Sequence, residues 1–377
     1  MNMKLLATMA SGFEAITKKE LQNLGYQVQI ENGKAYFEGG LEDIVKTNLW
    51  LRSGDRIKIV LKEFEALNFD DLFEEVKAVD WDRWLPLDAA FPVKGRSVKS
   101  QLHSVPDIQA LTKKAIVDKM TTVYHRRGWL PESGSIFQIE IRLVKNQAEL
   151  TLDTTGESLF KRGYRQEHGG APLKENFGAA LVLLTPWRAS DPFCDPTTGS
   201  GTIAIEAALI GRNIAPGLKR HFAFEKFPWF DEQILTTART QAQQQILPSG
   251  DLQIQASDID GSMIDIAKLN AYQAGVLHDI QFKQIAVKDL QLTNDNGFLI
   301  ANPPYGKRMQ AQTQARQLYQ QMGQNFEKLS TWSKYYLSSD LEFEKFYGKK
   351  ATKRRKLYNG ALRTDLFQYW GHPTYRK

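Results

Sequence analysis

Residues 299–306 read Leu-Ile-Ala-Asn-Pro-Pro-Tyr-Gly, an apolar stretch that stops at two consecutive prolines. A strand predicted over residues 298–301 must end there, because proline has no amide to donate to a sheet and disfavours helix in the preceding residue. The loop that follows contains the Asn302 side-chain amide, backbone carbonyl groups that are not taken up by helical hydrogen bonds, and the Tyr305 ring. Such groups can accept hydrogen bonds from an exocyclic amine while the ring stacks on a nucleobase. An ordinary turn is the alternative for this tetrad by itself.

A second segment, residues 191–210, has the pattern of a strand, a glycine-bearing turn and an amphipathic helix, as in the first βα unit of a Rossmann-like sheet. Gly199 and Gly201 let the backbone approach a ligand, and the start of the helix at Thr202 adds partial positive charge. The spacing from Asp195 is Asp-x-x-x-Gly-x-Gly, which differs from both the dinucleotide and the phosphate-loop patterns. A carboxylate without the Lys-Ser/Thr pair that binds phosphates favours the amino-acid group of a ligand. The alternative is that the segment is a simple tight turn that binds nothing.

Acidic residues also follow the next two predicted strands. The strand over residues 252–257 leads into Asp258 and Asp260, and the strand near residues 280–286 leads to Asp289. An acid at the end of the second strand of such a sheet commonly binds a ribose diol, so we predict Asp258 as the ribose ligand. Asp260 is predicted to cap the next helix. Each acid alone is also compatible with a helix cap, but three acids at successive strand ends favour one ligand site.

In this order the motifs resemble those of class I S-adenosylmethionine-dependent methyltransferases, in the amino-methylating branch with an Asn-Pro-Pro-Tyr loop. The resemblance covers roughly residues 160–377 and includes Arg-Gly-Tyr-Arg at 162–165. It implies S-adenosyl-L-methionine as cofactor, with Asn302 and Pro303 holding a target amine and Tyr305 stacking on its base. The implied catalytic residues are Asn302, Pro303, Pro304 and Tyr305. The implied cofactor-binding residues are Asp195, Thr197, Gly199 and Gly201 at the methionine end, Asp258 and Ile259 near the ribose, Asp289 at the adenine, and Asn302.

The spacing departs from this family in one place. Residues 207–250 separate the glycine turn from the ribose acid, which exceeds the ~20 residues usual between these features. We therefore predict an inserted segment, with its role open.

The N-terminal 160 residues have a different pattern. A strand–helix–strand–strand–helix–strand order over residues 3–64, with a hairpin at Asn32-Gly33, predicts a ferredoxin-like unit. A second α/β unit follows, with strands predicted near residues 90–94 and 136–143. The segment from Phe91 to Ser104 resembles a THUMP domain, an RNA-binding module.

The predicted fold is α/β, with a Rossmann-like class I methyltransferase sheet at the C-terminus and an N-terminal α+β ferredoxin-like plus THUMP region. The predicted domains are residues 1–60 (ferredoxin-like), 61–160 (THUMP) and 161–377 (methyltransferase).

Charge changes sign inside the predicted THUMP region. Residues 60–90 hold three Lys or Arg against nine Asp or Glu, whereas residues 91–130 hold eight against two. This asymmetry favours a positive face directed at phosphates, and a solvated charged surface is the alternative. A second basic run, residues 349–356, enters a hairpin predicted at Asn359-Gly360. The predicted RNA-binding residues are Lys94, Arg96 and Lys99, alternating along an extended segment, Lys113 on the following helix, and Lys353, Arg354 and Arg355 in the second run.

Other features limit the class of protein. Cys194 is the single cysteine, so no intrachain disulfide is possible, and the six histidines have no metal-ligand spacing, so no metal is predicted. No apolar run approaches the ~18 residues of a membrane span, and no signal peptide is evident. These features predict a cytoplasmic protein.

Together the motifs resemble the bacterial large-subunit ribosomal RNA guanine-N2 methyltransferases. The predicted activity is methylation of the exocyclic N2 amine of a guanine in 23S rRNA, with RNA as the partner. Alternatives are a tRNA guanine-N2 methyltransferase, an adenine-N6 nucleic-acid methyltransferase and, in another class, a catalytically inactive RNA-binding protein. A nicotinamide dehydrogenase is disfavoured by the glycine pattern.

Overall fold

The structure is a computed structural model that describes residues 2–126, 129–165, 173–306, 309–360 and 362–372. The described residues form two seven-stranded sheets. The strands of the first sheet are β1 (Met3–Met9), β2 (Gln29–Glu31), β3 (Lys34–Gly39), β4 (Gly54–Glu65), β5 (Val93–Val98), β6 (Ile139–Val144) and β7 (Gln147–Asp153). Its helices are α1 (Glu14–Asn23), α2 (Leu41–Trp50), α3 (Phe69–Lys77) and α4 (Val105–Val123).

The first sheet has the order β2-β3-β1-β4-β7-β6-β5, and its first four strands have the ferredoxin-like arrangement. The 12-residue strand β4 pairs antiparallel with β1 on one side and with β7 on the other. The ferredoxin-like and THUMP units therefore share one continuous sheet. The proposed boundary between residues 60 and 61 lies inside β4.

The edge strand of this sheet begins later than the sequence pattern indicates. We predicted a strand over residues 90–94, but β5 starts at Val93 and continues to Val98. Ala90 makes only an isolated bridge. Pro92 separates the two, and its missing amide removes one donor from the ladder at this point.

The second sheet belongs to the C-terminal half. Its strands are β8 (Phe193–Asp195), β9 (Ile254–Asp258), β10 (Ile280–Gln284), β11 (Gly297–Ala301), β12 (Trp332–Ser338), β13 (Lys353–Asn359) and β14 (Leu362–Tyr369). Its helices are α5 (Glu175–Leu183), α6 (Thr202–Gly211), α7 (Glu232–Gln244), α8 (Gly261–Ala274), α9 (Met309–Phe326) and α10 (Phe343–Tyr347).

The second sheet has the order β10-β9-β8-β11-β12-β14-β13. The first five strands are parallel, and β14 runs antiparallel to both β12 and β13. The strand order reverses between β8 and β11, and ligands of such sheets bind outside the carboxyl ends of the strands at this reversal. This topology confirms the predicted Rossmann-like fold and indicates a ligand site at the ends of β8 and β11.

The inserted segment packs onto the N-terminal half. The Phe227 ring stacks on Phe137, with centroids 4.5 Å apart and planes 12° apart. Trp229 donates from Nε1 to the Trp84 carbonyl at 3.0 Å, and α7 packs against α2. The sequence left the role of this insertion open. The structure gives it a structural role, because it packs between the methyltransferase sheet and both N-terminal units.

Candidate active site

The carboxyl ends of β8 and β11 border a small cavity of about 130 Å³. The lining residues are Leu173, Asp195, Thr197, Thr198, Gly199, Ser200, Thr202, Ile203, Met263 and Asn302. Parallel strands deliver their carboxyl ends to one edge of a sheet, which explains why residues a hundred positions apart meet. The glycine turn and the first residue of the Asn-Pro-Pro-Tyr loop therefore face the same space.

The two glycines of the turn have different structural roles. Both have left-handed backbone conformations, with φ of +52° at Gly199 and +88° at Gly201. A Cβ on Gly199 would meet no atom within 4 Å, whereas one on Gly201 would lie 3.1 Å from the Ala267 Cβ. Gly201 therefore permits close packing of α6 on α8, and the space beside Gly199 is free of protein atoms.

Asp195 places a buried carboxyl group in the cavity. Its side chain accepts from the Thr197 amide at 3.4 Å through Oδ1. Its Oδ2 is buried and has no hydrogen-bond partner among the described residues. Burial, with a smaller contribution from the neighbouring Asp258 carboxylate, raises the pKa of Asp195 to about 7. A buried acceptor without a partner is costly, so this oxygen is suited to a cationic or donating group of a ligand.

Asp258 connects the end of β9 to the glycine turn. Its Oδ2 accepts from the Gly199 amide at 2.9 Å and its Oδ1 accepts from the Asp260 amide at 3.0 Å. Each carboxylate oxygen retains a second lone pair, so Asp258 can fix the turn and still hold a hydroxyl group. Asp260 caps α8 by accepting from the Ser262 amide at 2.9 Å, which confirms the predicted cap.

Two predicted cofactor-binding residues, Ile259 near the ribose and Asp289 at the adenine, lie outside the lining of the cavity. Ile259 is 72% exposed, just after β9. Asp289 is exposed and ends the short 3-10 helix Val287–Asp289 that follows β10. Both lie on the protein surface beyond the ends of neighbouring strands. Their binding roles remain predictions.

The Asn-Pro-Pro-Tyr loop is held by two tyrosines. The Tyr319 hydroxyl, on α9, donates to the Pro304 carbonyl at 3.0 Å. The Tyr305 hydroxyl donates to Asn302 Oδ1. Burial raises the pKa of Tyr305, so this hydroxyl stays protonated and remains a donor at neutral pH. Pro303 is buried and Pro304 is exposed.

Sequence reasoning missed a buried ionic network behind the cavity. Arg162 pairs with Glu206 on α6 at 3.4 Å, with both side chains almost fully buried. Arg165 pairs with Glu175 at 3.1 Å and donates to Thr202 Oγ1, in the cavity lining, at 2.7 Å. The Arg-Gly-Tyr-Arg pattern was the available signal, but the sequence does not show which carboxylates these arginines meet.

Three of the predicted RNA-binding residues in the THUMP region, Lys94, Arg96 and Lys99, are exposed, and Lys113 is half-buried. Lys94 and Arg96 lie on the edge strand β5. Lys99 lies beyond the end of this strand and has a left-handed φ of +52°. The predicted alternation along an extended segment is therefore wrong for Lys99, because the chain turns there. Lys113 on α4 forms an ion pair with Glu132 at 2.8 Å, which offsets its charge.

The second basic run is partly engaged within the protein. Arg354 pairs with Asp365 at 2.7 Å. Arg355 donates to the Gly12 carbonyl at 2.8 Å, so it joins the C-terminal hairpin to the N-terminal unit. Lys353 is exposed. Of the predicted RNA-binding residues, Lys94, Arg96, Lys99 and Lys353 are thus the ones best placed to meet a polyanion.

The strand order, the glycine turn and the proline loop at one sheet edge define a class I methyltransferase. Family models match three consecutive regions: an RlmL ferredoxin-like domain at residues 4–58, a THUMP domain at 66–153, and the RMKL-like methyltransferase domain at 162–368. The chain belongs to the RMKL-like family of S-adenosylmethionine-dependent RNA methyltransferases. This confirms the predicted family, fold class and cofactor.

Similar proteins cover nearly the whole chain. The Bacillus subtilis (strain 168) protein YpsC, provisionally named an RNA methyltransferase, is 49% identical, over 97% of this chain and 95% of its own length. The Psychromonas ingrahamii ribosomal RNA large subunit methyltransferase K/L is 31% identical over 96% of this chain, and this chain spans 49% of that protein.

Two solved structures have the same architecture. The crystal structure of SMU.472, provisionally named a methyltransferase and complexed with SAH, is 50% identical with a TM-score of 0.93, covering 99% of both chains. A Listeria monocytogenes protein named as an N6-adenine-specific DNA methylase is 51% identical with a TM-score of 0.94, covering 99% of this chain and 97% of its own.

The described residues show neither a membrane-spanning helix nor a cluster of metal ligands. Their helices include none with the length and apolar character of a membrane span. They also contain no group of three or more His, Cys, Asp or Glu side chains arranged to hold a metal ion.

Proposed function

We propose that this protein methylates the exocyclic N2 amine of a guanine in 23S ribosomal RNA. The supporting observation is that Asn302 lines the same cavity as Asp195 and Gly199. A cofactor held by the glycine turn would therefore lie within reach of an amine held by the proline loop.

The residues present fit the cofactor. The amino-acid part of S-adenosylmethionine carries an ammonium group, which suits the unpartnered Asp195 Oδ2. The open space beside Gly199 accommodates its chain, and Asp258 and Asp289 would hold the ribose and the adenine amino group. When bound, S-adenosylmethionine supplies an electrophilic methyl group on a sulfonium centre.

The proline loop would supply the acceptors for the target amine. The lone pair of a guanine N2 is delocalised into its ring and is a poor nucleophile. Hydrogen bonds from this amine to Asn302 Oδ1 and the Pro303 carbonyl favour positive charge building on nitrogen as the methyl group arrives. Since in-line transfer needs little acid–base chemistry, positioning carries most of the catalysis.

The target base must leave its stack to reach this loop. Extrusion costs a few kcal/mol, and stacking on the Tyr305 ring returns about 1–3 kcal/mol. Tyr319 supports this step indirectly, because its bond to the Pro304 carbonyl fixes the loop.

The choice of RNA rests on the THUMP domain and on the ribosomal RNA methyltransferases K/L among the relatives. The main competing substrate is an adenine N6 amine, because the same loop geometry can hold it and one similar protein carries that name. A tRNA guanine is the second competitor.

Incubation with tritiated S-adenosylmethionine and total RNA from a strain lacking this protein tests the proposal. We expect radioactivity in the 23S fraction and N2-methylguanosine after digestion. Label in tRNA or in N6-methyladenosine would assign the competing substrates. No transfer, with SAH binding retained, would identify a catalytically inactive RNA-binding protein.

A further inference from the structure

A groove of about 1030 Å³ lies where three parts of the chain meet. One wall comes from the THUMP region, a second from residues 153–161, which lead into the methyltransferase domain, and the third from residues 221–226 of the insertion. We call this feature the junction groove. It is separate from the cofactor cavity, since the two have no lining residue in common.

Two lysines from different walls carry its uncompensated positive charge. Lys94 lies on β5, and Lys226 ends the 3-10 helix Ala223–Lys226 of the insertion. Both are exposed, and neither forms an ion pair within the part of the chain that the structure describes. Glu140 lies opposite Lys94 on β6 and attracts it electrostatically, but the ion pair of its carboxylate is with Lys58.

The other cations of the groove are offset by carboxylates. Arg56 pairs with Asp153, and Lys161 pairs with Glu157. The charge that the groove offers to an anion therefore comes mainly from Lys94 and Lys226.

The groove also has exposed apolar surface. Ile136 is 63% exposed and lines the groove together with Phe160. Its position is rigid, because the next residue, Phe137, stacks on Phe227 of the insertion. The same stacking holds Lys226, which immediately precedes Phe227. The backbone at Ile136 and the backbone at Lys226 are therefore held next to each other.

One wall of the groove is linked to the lining of the cofactor cavity through neighbouring residues. Lys174 Nζ lies over the Phe160 ring, 4.6 Å from its centroid. Leu173, the residue before Lys174, lines the cofactor cavity. Phe160 of the groove and Leu173 of the cavity lining are therefore joined through Lys174.

We propose that the junction groove binds a single-stranded segment of the RNA substrate. Lys94 and Lys226 each contact one phosphate, and Ile136 and Phe160 contact the face of an unstacked base. A single strand is the form that offers both groups, because a duplex keeps its base faces inside the stack. This inference rests on the proposed function only in taking RNA as the substrate.

The test is equilibrium binding of a fluorescein-labelled single-stranded RNA of about 12 nucleotides, which lies in the size range of single-strand sites. Each phosphate contact to a single strand contributes about 0.7 to the slope of log affinity against log salt. The double variant Lys94→Gln/Lys226→Gln should therefore lower this slope by about 1.4. The matched control Lys19→Gln/Lys328→Gln removes the same charge from exposed positions outside the groove and should leave the slope unchanged.

A third variant tests the apolar contact. Ile136→Ser alters an exposed side chain, so the variant should fold normally. We expect it to bind the single-stranded RNA more weakly, with an unchanged dependence of affinity on salt. Equal slope losses in both double variants, or equal competition by a duplex RNA of the same length, would overturn the proposal.

The groove and the proposed reaction fail in different ways. If Lys94→Gln/Lys226→Gln forms N2-methylguanosine at the wild-type rate with subsaturating RNA, the groove assignment is wrong and the reaction stands. If the slope falls as expected but the methyl group appears on another nucleoside, the groove stands and the guanine assignment is wrong.

Discussion

The Tyr305 hydroxyl hydrogen-bonds to Asn302 Oδ1, so the Asn-Pro-Pro-Tyr loop closes on itself. This oxygen is the acceptor that we assign to the target amine. An incoming amine must therefore share this oxygen with the hydroxyl or displace it, and the free loop keeps the acceptor satisfied until a substrate arrives.

Asn302→Ala tests the role of this acceptor. We expect methyl transfer to fall by about 100-fold or more, as when one preorganised transition-state hydrogen bond is lost. SAH affinity should change little, because Asp195 and the glycine turn remain. Calorimetry with SAH and single-turnover methyl transfer measure the two effects separately. Asn294→Ala, at an exposed position, is the control. Loss of SAH binding in Asn302→Ala would show that Asn302 acts on the cofactor side instead.

Two substitutions at Tyr305 separate its ring from its hydroxyl. Tyr305→Ala removes the stacking surface, and we expect RNA to bind roughly 5- to 150-fold more weakly, equivalent to about 1–3 kcal/mol. Tyr305→Phe keeps the ring and frees Asn302 Oδ1, so RNA affinity should match or exceed that of the wild type. Fluorescence titration with substrate RNA provides the measurement. If the Tyr305→Phe variant binds RNA as weakly as the Tyr305→Ala variant, the hydroxyl itself contacts the substrate.

The pKa of Asp195 predicts a pH dependence of cofactor binding. Burial raises this pKa to about 7, so the carboxyl is neutral below pH 7 and cannot pair with the ammonium group. SAH affinity should therefore fall about tenfold per pH unit below pH 7, with proton release on binding. Calorimetry in buffers of different ionisation enthalpy measures both. The Asp195→Asn variant should bind SAH weakly at all pH values. If its SAH affinity depended on pH as steeply as that of the wild type, Asp195 would be excluded as the source of the pH dependence.

Gly199→Ala tests the open space of the turn. A Cβ there meets no protein atom within 4 Å, but the φ of +52° costs an alanine about 1–2 kcal/mol. Gly348 is a matched control, because it also has a left-handed φ, of +86°, and a Cβ on it would likewise meet no atom within 4 Å. Both variants should lose similar stability by thermal unfolding, but only Gly199→Ala should lose SAH affinity. Equal SAH affinities would show that the ligand does not occupy this space.

Phe227→Ala tests the attachment of the insertion. Phe227 is 2% exposed and stacks on Phe137, so its removal should lower the free energy of unfolding by about 3–5 kcal/mol. Trp129→Ala, at a position that is 80% exposed, should change it by less than about 0.5 kcal/mol. Urea denaturation measures both. A small effect at Phe227 would indicate that the insertion is not needed to hold the N-terminal units.

The sequence was sufficient to predict those structural features that a short run of residues determines. The prolines after Ala301 end β11, Asp260 caps α8, and the order of acids and glycines along the chain predicted the Rossmann-like sheet. The first two features depend on backbone geometry within a few residues, and such geometry is specific to a few residue types. The sheet followed from the order in which such local signals recur along the chain.

The tertiary structure decided the properties that depend on distant partners. The sequence alone did not predict that Asp195 lacks a partner at Oδ2, that Arg355 bonds to Gly12, or that the insertion brings Lys226 to the groove that Lys94 lines. Charge compensation, burial and pKa depend on which side chains meet after folding. The sequence by itself thus determined the fold and the order of the motifs, and only the packing of the two sheets and the insertion determined which charges remain available to a ligand.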